Sequence, residues 1–104
     1  MLTNMHITLF RFNEDTDEYE NAGHFSAWVH KTEATAKTEN GVRRRDTFDI
    51  RFDLKKISNV EPEYLVFFGE RRDKYPDLKA CLKISRVTRN AFGRSPHWHL
   101  QAEA

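Results

Sequence analysis

The stretch Ala80–Glu103, ACLKISRVTRNAFGRSPHWHLQAE, decides the fold. Two segments with strand character, Ala80–Arg89 and His97–Glu103, flank a loop that holds Asn90, Gly93, Ser95 and Pro96. Asn and Gly tolerate positive φ and Pro presets a turn, so this loop joins antiparallel neighbours. In the second segment Trp98, Leu100 and Ala102 share one face, and His97, His99 and Gln101 share the other. That two-residue period marks a half-buried strand with Trp98 as its largest apolar anchor. In the first segment Leu82 and Ile84 share a face while Val87 has the opposite parity. A bulge near Ser85–Arg86, or a strand buried on both sides, would reconcile them.

Working outward, Thr47–Leu54 (TFDIRFDL) alternates most cleanly, with Phe48, Ile50, Phe52 and Leu54 inward and Thr47, Asp49, Arg51 and Asp53 outward. Glu63–Gly69 (EYLVFFG) is apolar on both parities and too short for a helix, so it reads as a strand buried on both faces. His6–Phe12 (HITLFRF) also has two apolar faces, Ile7 and Leu9 against Phe10 and Phe12. Gly23–Lys31 places Phe25, Ala27 and Val29 opposite His24, Ser26, Trp28 and His30, which leaves Trp28 on the polar side. It would cover a barrel end there or serve a subunit contact. The expected fold is all-β: six mainly antiparallel strands at about 6–12, 23–31, 47–54, 63–69, 80–89 and 97–103, forming a small barrel or sandwich. Its core anchors are Trp98, Phe48, Ile50, Phe52 and Leu100.

Thr32–Asp46 has only Ala34, Ala36 and Val42 to bury, so it reads as a long loop or protruding hairpin turning at Asn40-Gly41. One short helical turn is expected at Tyr75–Leu78. With 104 residues the chain forms one domain, and its 38% hydrophobic content is rich in aromatics suited to pleated surfaces. Lys plus Arg (17) against Asp plus Glu (16) gives +1, which argues against a dedicated nucleic-acid binder. Cys81 stands alone, so neither an internal disulfide nor a cysteine zinc site is expected. No apolar run has membrane-spanning length and Met1–Phe12 lacks a signal-peptide pattern, so no membrane partner is expected.

Asn13–Asn21 carries Glu14, Asp15, Asp17, Glu18 and Glu20, but Glu20 stands where a calcium loop counted from Asp15 needs glycine. It reads as a solvated acidic turn. His97 and His99 project from one strand face, yet a third and fourth ligand are missing from the local sequence, although His24 or His30 could approach in three dimensions, and no Asp or Glu is expected to orient the pair. Cys81 has no activating surroundings, and the serines and scattered glycines form neither a nucleophile elbow nor a phosphate loop. No enzyme activity, metal or cofactor is expected. The alternative is a small β-barrel nucleic-acid-binding module whose basic stripe joins Arg43–Arg45 to Arg71, Arg72, Arg86, Arg89 and Arg94.

Several motifs together resemble a family. They are HITLF at His6–Phe10, Ala27-Trp28, Lys31–Ala34, Asn40-Gly41, Phe48–Phe52, Val87–Asn90 and Gly93 with Ser95–Trp98. This pattern resembles the small minor capsid or head-completion proteins of the head–tail module of tailed bacteriophages. The chain departs from that pattern at Glu63-Tyr64, where the family usually has Gly-Asp. The resemblance implies a β-barrel-like subunit of a homo-oligomeric ring in the virion neck, assembled in the host cytoplasm. Its partners would be portal or adaptor and tail proteins, with non-specific contact to packaged DNA. The subunit would be stopper-like or adaptor-like. Independently of the resemblance, the segregation of charge on a nearly neutral chain marks Arg43, Arg44 and Arg45, together with Glu14, Asp15, Asp17, Glu18 and Glu20, as candidate subunit or DNA-channel contacts.

Overall fold

In a computed structural model, six antiparallel strands close into a barrel. Residues 2–38 and 41–103 are described, with backbone only at 34–38 and 41–45. The strands are β1 (Met5–Asn13), β2 (Glu18–Thr38), β3 (Gly41–Asp53), β4 (Leu65–Phe68), β5 (Leu82–Asn90) and β6 (His97–Glu103). Around the barrel they run β1-β2-β3-β6-β5-β4, and β4 returns to β1. β4 decides barrel over sandwich. Its four residues pair Val66 with Leu9 on one side and with Leu82 on the other, so the sheet has no free end.

Alternation fills the interior. Ile7, Leu9, Phe25, Ala27, Ile50, Phe52, Val66, Ile84, Trp98, Leu100 and Ala102 form one buried cluster, closed at the ends by Val60 and Tyr64. The β5 parity problem is resolved by a bulge: Ile84 faces Ala102, Arg86 faces Gln101, and Ser85 is the extra residue. Past the bulge Val87 turns inward against the core. Phe48 departs from the expected anchors. It is half-buried at the barrel edge, opposite Lys31 on β2, and its ring meets Phe68 with centroids 4.9 Å apart.

One open choice is decided and two stretches differ from the sequence reading. Residues 32–38 and 41–46 pair as a ribbon, the hairpin alternative: β2 and β3 stay paired from Trp28–Arg51 out to Thr38–Gly41, and Asn40 of the expected Asn40-Gly41 turn lies outside the described residues. Backbone pairing makes no demand on hydropathy, and with only Ala34, Ala36 and Val42 to bury the segment left the choice open. Residues 75–78 make no helical turn; Ala80 N–H instead closes a turn on Asp77 O at 3.0 Å. A short 3-10 helix lies at Leu54–Lys56, where the Asp53 side chain caps the Lys55 N–H at 2.9 Å. Leu54 thus leaves the strand, half-buried against the core.

The two apolar faces of β1 also find their reason. Ile7 and Leu9 point into the barrel, while Thr8 and Phe10 alternate to the outside and are equally buried. The β4–β5 connection crosses that outer face. It is held by Asn21, whose N–H donates to Lys74 O at 2.9 Å and whose Nδ2 donates to Arg71 O and Asp73 O. The cover makes β1 a two-sided core strand.

Candidate assembly surface

β2 is 21 residues long; the acidic turn precedes its start, and the arginine segment lies on β3, paired with the last part of β2. At its start the β1–β2 turn holds Glu14, Asp15 and Asp17, all exposed, and Glu18 continues exposed onto the strand. The turn is built locally: Asp15 N–H donates to Asn13 Oδ1 at 2.9 Å, and Asp17 adopts φ 56°. Glu20 is half-buried and accepts a bond from Asn13 Nδ2 at 3.3 Å, so it belongs to the turn's framework more than to its charged rim.

At the other end β2 and β3 leave the barrel as an arm. The pairing of β6 to β3 stops at Thr47–Glu103, and that of β1 to β2 stops at Met5–Ala27. From Thr32 to Thr38 the ribbon pairs only with itself among the described residues, a reach of about 20 Å at ~3.3 Å per residue. Arg43, Arg44 and Arg45 lie opposite Ala36, Thr35 and Ala34 on this ribbon, and their side chains lie outside those described. The arm's root is cross-linked by Lys31, whose Nζ lies 3.2 Å from Glu33 Oε1 and 3.5 Å from Asp46 Oδ2.

The outer face of β2, β3 and β6 is the second feature. Trp28, Arg51 and His99 form one cross-strand row. The Arg51 guanidinium sits 5.1 Å from the Trp28 ring, and the His30 ring stacks on Trp28 at 5.6 Å and 15°. This contact explains how a half-buried tryptophan is accommodated on the polar side. His99 Nε2 donates to Asp49 Oδ1 at 2.9 Å and Gln101 Nε2 donates to the same oxygen at 3.1 Å. These bonds, His99 first, hold the Asp49 carboxyl below its ordinary range. His97 has different partners: its Nδ1 donates to Ser95 O at 2.8 Å and its Nε2 meets Asn90 Nδ2 at 3.2 Å. The two same-face histidines are thus turned to separate partners and do not converge.

Beside this face, a cleft of about 480 Å³ is lined by Asp53, Lys55, Arg89, Arg94, Ser95 and Pro96. A neighbouring groove contains Leu2, Trp28, Arg51, Ser95 and His97, so Ser95 borders both. Of the expected basic stripe, Arg89 and Arg94 share this cleft, whereas Arg71 and Arg72 pair with Asp73 and Glu70 elsewhere. Cys81 is half-buried, and burial pushes its thiol up, away from a reactive thiolate.

One grouping was invisible along the chain. His6, His24 and Glu70 each present a ligand atom within 4.8 Å of the others. His6 and His24 share a face on paired strands, a relation readable once β1 and β2 are recognised as neighbours. Glu70 joins them only through the long β4–β5 connection. Comparisons with protein-family models, curated proteins and solved structures found no match to this chain.

Proposed function

We propose that this chain is a structural subunit of the head–tail junction of a tailed bacteriophage, a stopper-like or adaptor-like ring component that completes the filled head. The observation that carries the reading is the β2–β3 arm, a ribbon that leaves the barrel at Thr32 and Thr47 with no third strand beside it among the described residues. A two-stranded ribbon is marginal by itself in water, and a neighbouring subunit is the natural support for one. The acidic turn at the far end of β2 supplies a complementary surface for Arg43–Arg45 of an adjacent copy, the head-to-tail arrangement that generates rings. Such rim charges steer encounter and set register while adding little to the subunit's own stability. The sequence resemblance points to the same role.

The test is genetic and structural. A phage deleted for this chain should accumulate filled heads without tails. Wild-type protein should rescue it, whereas the triple variant R43E/R44E/R45E should fold normally yet fail to rescue. Normal particle yield from the deletion would refute the reading.

The Arg51–Trp28 pair beside the Lys55, Arg89 and Arg94 cleft favours one second reading, a single-stranded nucleic-acid platform of basic groups and a stacking ring. That role predicts oligonucleotide binding that weakens steeply with salt and is lost in Trp28→Ala. Absence of salt-sensitive binding by the isolated protein would remove it.

A further inference from the structure

His6 lies opposite Ser26 and His24 opposite Thr8, so the two histidines are diagonal neighbours on the outer face of β1 and β2. His6 Nε2 and His24 Nδ1 are 2.9 Å apart, with ring centroids at 5.2 Å. One nitrogen must donate and the other accept, so the pair shares a single proton. Glu70 Oε1 lies 3.8 Å from His24 Nε2.

The third group is brought in by a fixed backbone. Gly69 N–H donates to His6 O at 2.8 Å, and Thr8 Oγ1 donates to Gly69 O at 2.8 Å. Both bonds anchor the residue just before Glu70 against β1. The Glu70 carboxylate is itself oriented by Arg72, whose Nε and Nη2 bond Oε1 at 3.1 and 3.0 Å. An outer partner of this kind is what a ligating carboxylate ordinarily has.

We propose that His6, His24 and Glu70 form a binding site for one divalent transition-metal ion of the zinc type. Two imidazole nitrogens and one carboxylate oxygen suit borderline ions, whereas calcium and magnesium require oxygen donors throughout. Around a tetrahedral ion with bonds of 2.0–2.1 Å, two ligating nitrogens stand about 3.3 Å apart. One nitrogen of His24 serves the ion. It lies with one nitrogen of His6 and a Glu70 oxygen within 4.8 Å of one another, and side-chain rotation of the exposed His24 and Glu70 brings the three onto one centre. His24 and Glu70 are exposed, so water completes the coordination. The ion would fasten the β4–β5 connection to the barrel wall, because Glu70 belongs to the connection and the histidines to the wall.

Zn²⁺ alone, titrated calorimetrically into the full chain, tests the site. Binding of one ion per chain is expected, weakening on acidification because the ligands must be free of protons. His6→Gln and His24→Gln should each weaken binding by more than the 10–100-fold that loss of an outer partner costs, and Arg72→Ala by about 10–100-fold. The H97Q/H99Q double variant should bind as the wild type does. Zn²⁺ should raise the thermal midpoint of the wild type and leave that of His24→Gln unchanged, with circular dichroism confirming the barrel in each variant. No binding by the wild type would overturn the proposal. Undiminished binding by an H6Q/H24Q variant, or binding lost with H97Q/H99Q, would do the same.

Discussion

Arg71 donates its backbone N–H to the Thr8 hydroxyl at 2.9 Å, across 63 residues of chain. The hydroxyl in turn donates to Gly69 O, so one fully buried side chain fastens the β4–β5 connection to the outer wall of the barrel. Thr8→Val keeps the shape and leaves the Arg71 N–H without its acceptor. The expected cost is about 1–3 kcal/mol in a denaturant titration, with faster amide exchange at Arg71. An unchanged midpoint and a still-protected amide would show that the cover is held by other contacts.

Gly69 stands at the start of the same cover with φ 139°, a conformation that side chains rarely adopt. A Cβ there would lie 2.8 Å from the Phe67 ring, which itself packs under the Arg71 guanidinium at 4.6 Å. Gly69→Ala should therefore lower stability by roughly 1–3 kcal/mol and loosen the cover first. Equal thermal midpoints for variant and wild type would contradict this account.

Trp98 fills one end of the barrel, and its Nε1 donates to Ile57 O at 3.2 Å. Trp98→Ala should cost roughly 3–5 kcal/mol, since the closed wall cannot collapse into the space. Trp98→Phe retains much of the ring and loses the hydrogen bond, so a smaller loss of about 1–2 kcal/mol is expected. Two variants of equal stability would mean that the indole N–H carries no share.

Asp49 is expected to set part of the acid limit of stability. Its carboxyl is held low by the His99 bond and then the Gln101 bond, so the folded chain binds its proton less readily than the unfolded chain. The sign follows: the stabilisation is complete above the ordinary carboxylate range near pH 4 and is lost as pH falls through the folded value below it. Asp49→Asn should flatten the loss of stability below about pH 4 while lowering stability at neutral pH by roughly 1 kcal/mol. An identical acid limb in the variant would assign that limit to other carboxyls.

The local readings succeeded where the signal was a two-residue period. β3 and β6 show inward Ile50, Phe52, Trp98, Leu100 and Ala102, as their alternation required, because a strand's facing is a property of its own residues. The opposite parity of Ile84 and Val87 allowed a bulge near Ser85–Arg86 or a strand buried on both sides, and the pairing of β5 with β6 decides for the bulge. The acidic turn and the arginine-bearing segment were legible as charged segments, but the pairing that sets the arginines beside the end of β2 far from the acidic turn was not. Sequence reading missed the His6–His24–Glu70 grouping because neither histidine has a ligand-spaced neighbour on its own strand.

What the sequence alone determined is the class of the molecule: β-strands, their inward faces, and turns marked by Gly, Asn and Pro. Tertiary structure decided the rest through contacts between distant segments. Barrel closure depends on four-residue β4 pairing on both sides, and the burial of Thr8 and Phe10 depends on a connection that returns over β1. The arm is formed by backbone pairing between β2 and β3, about which hydropathy is silent. The physical reason is common to all three. Facing is set residue by residue along a strand, whereas closure, covering and side-chain convergence arise only when segments far apart in the chain share one surface.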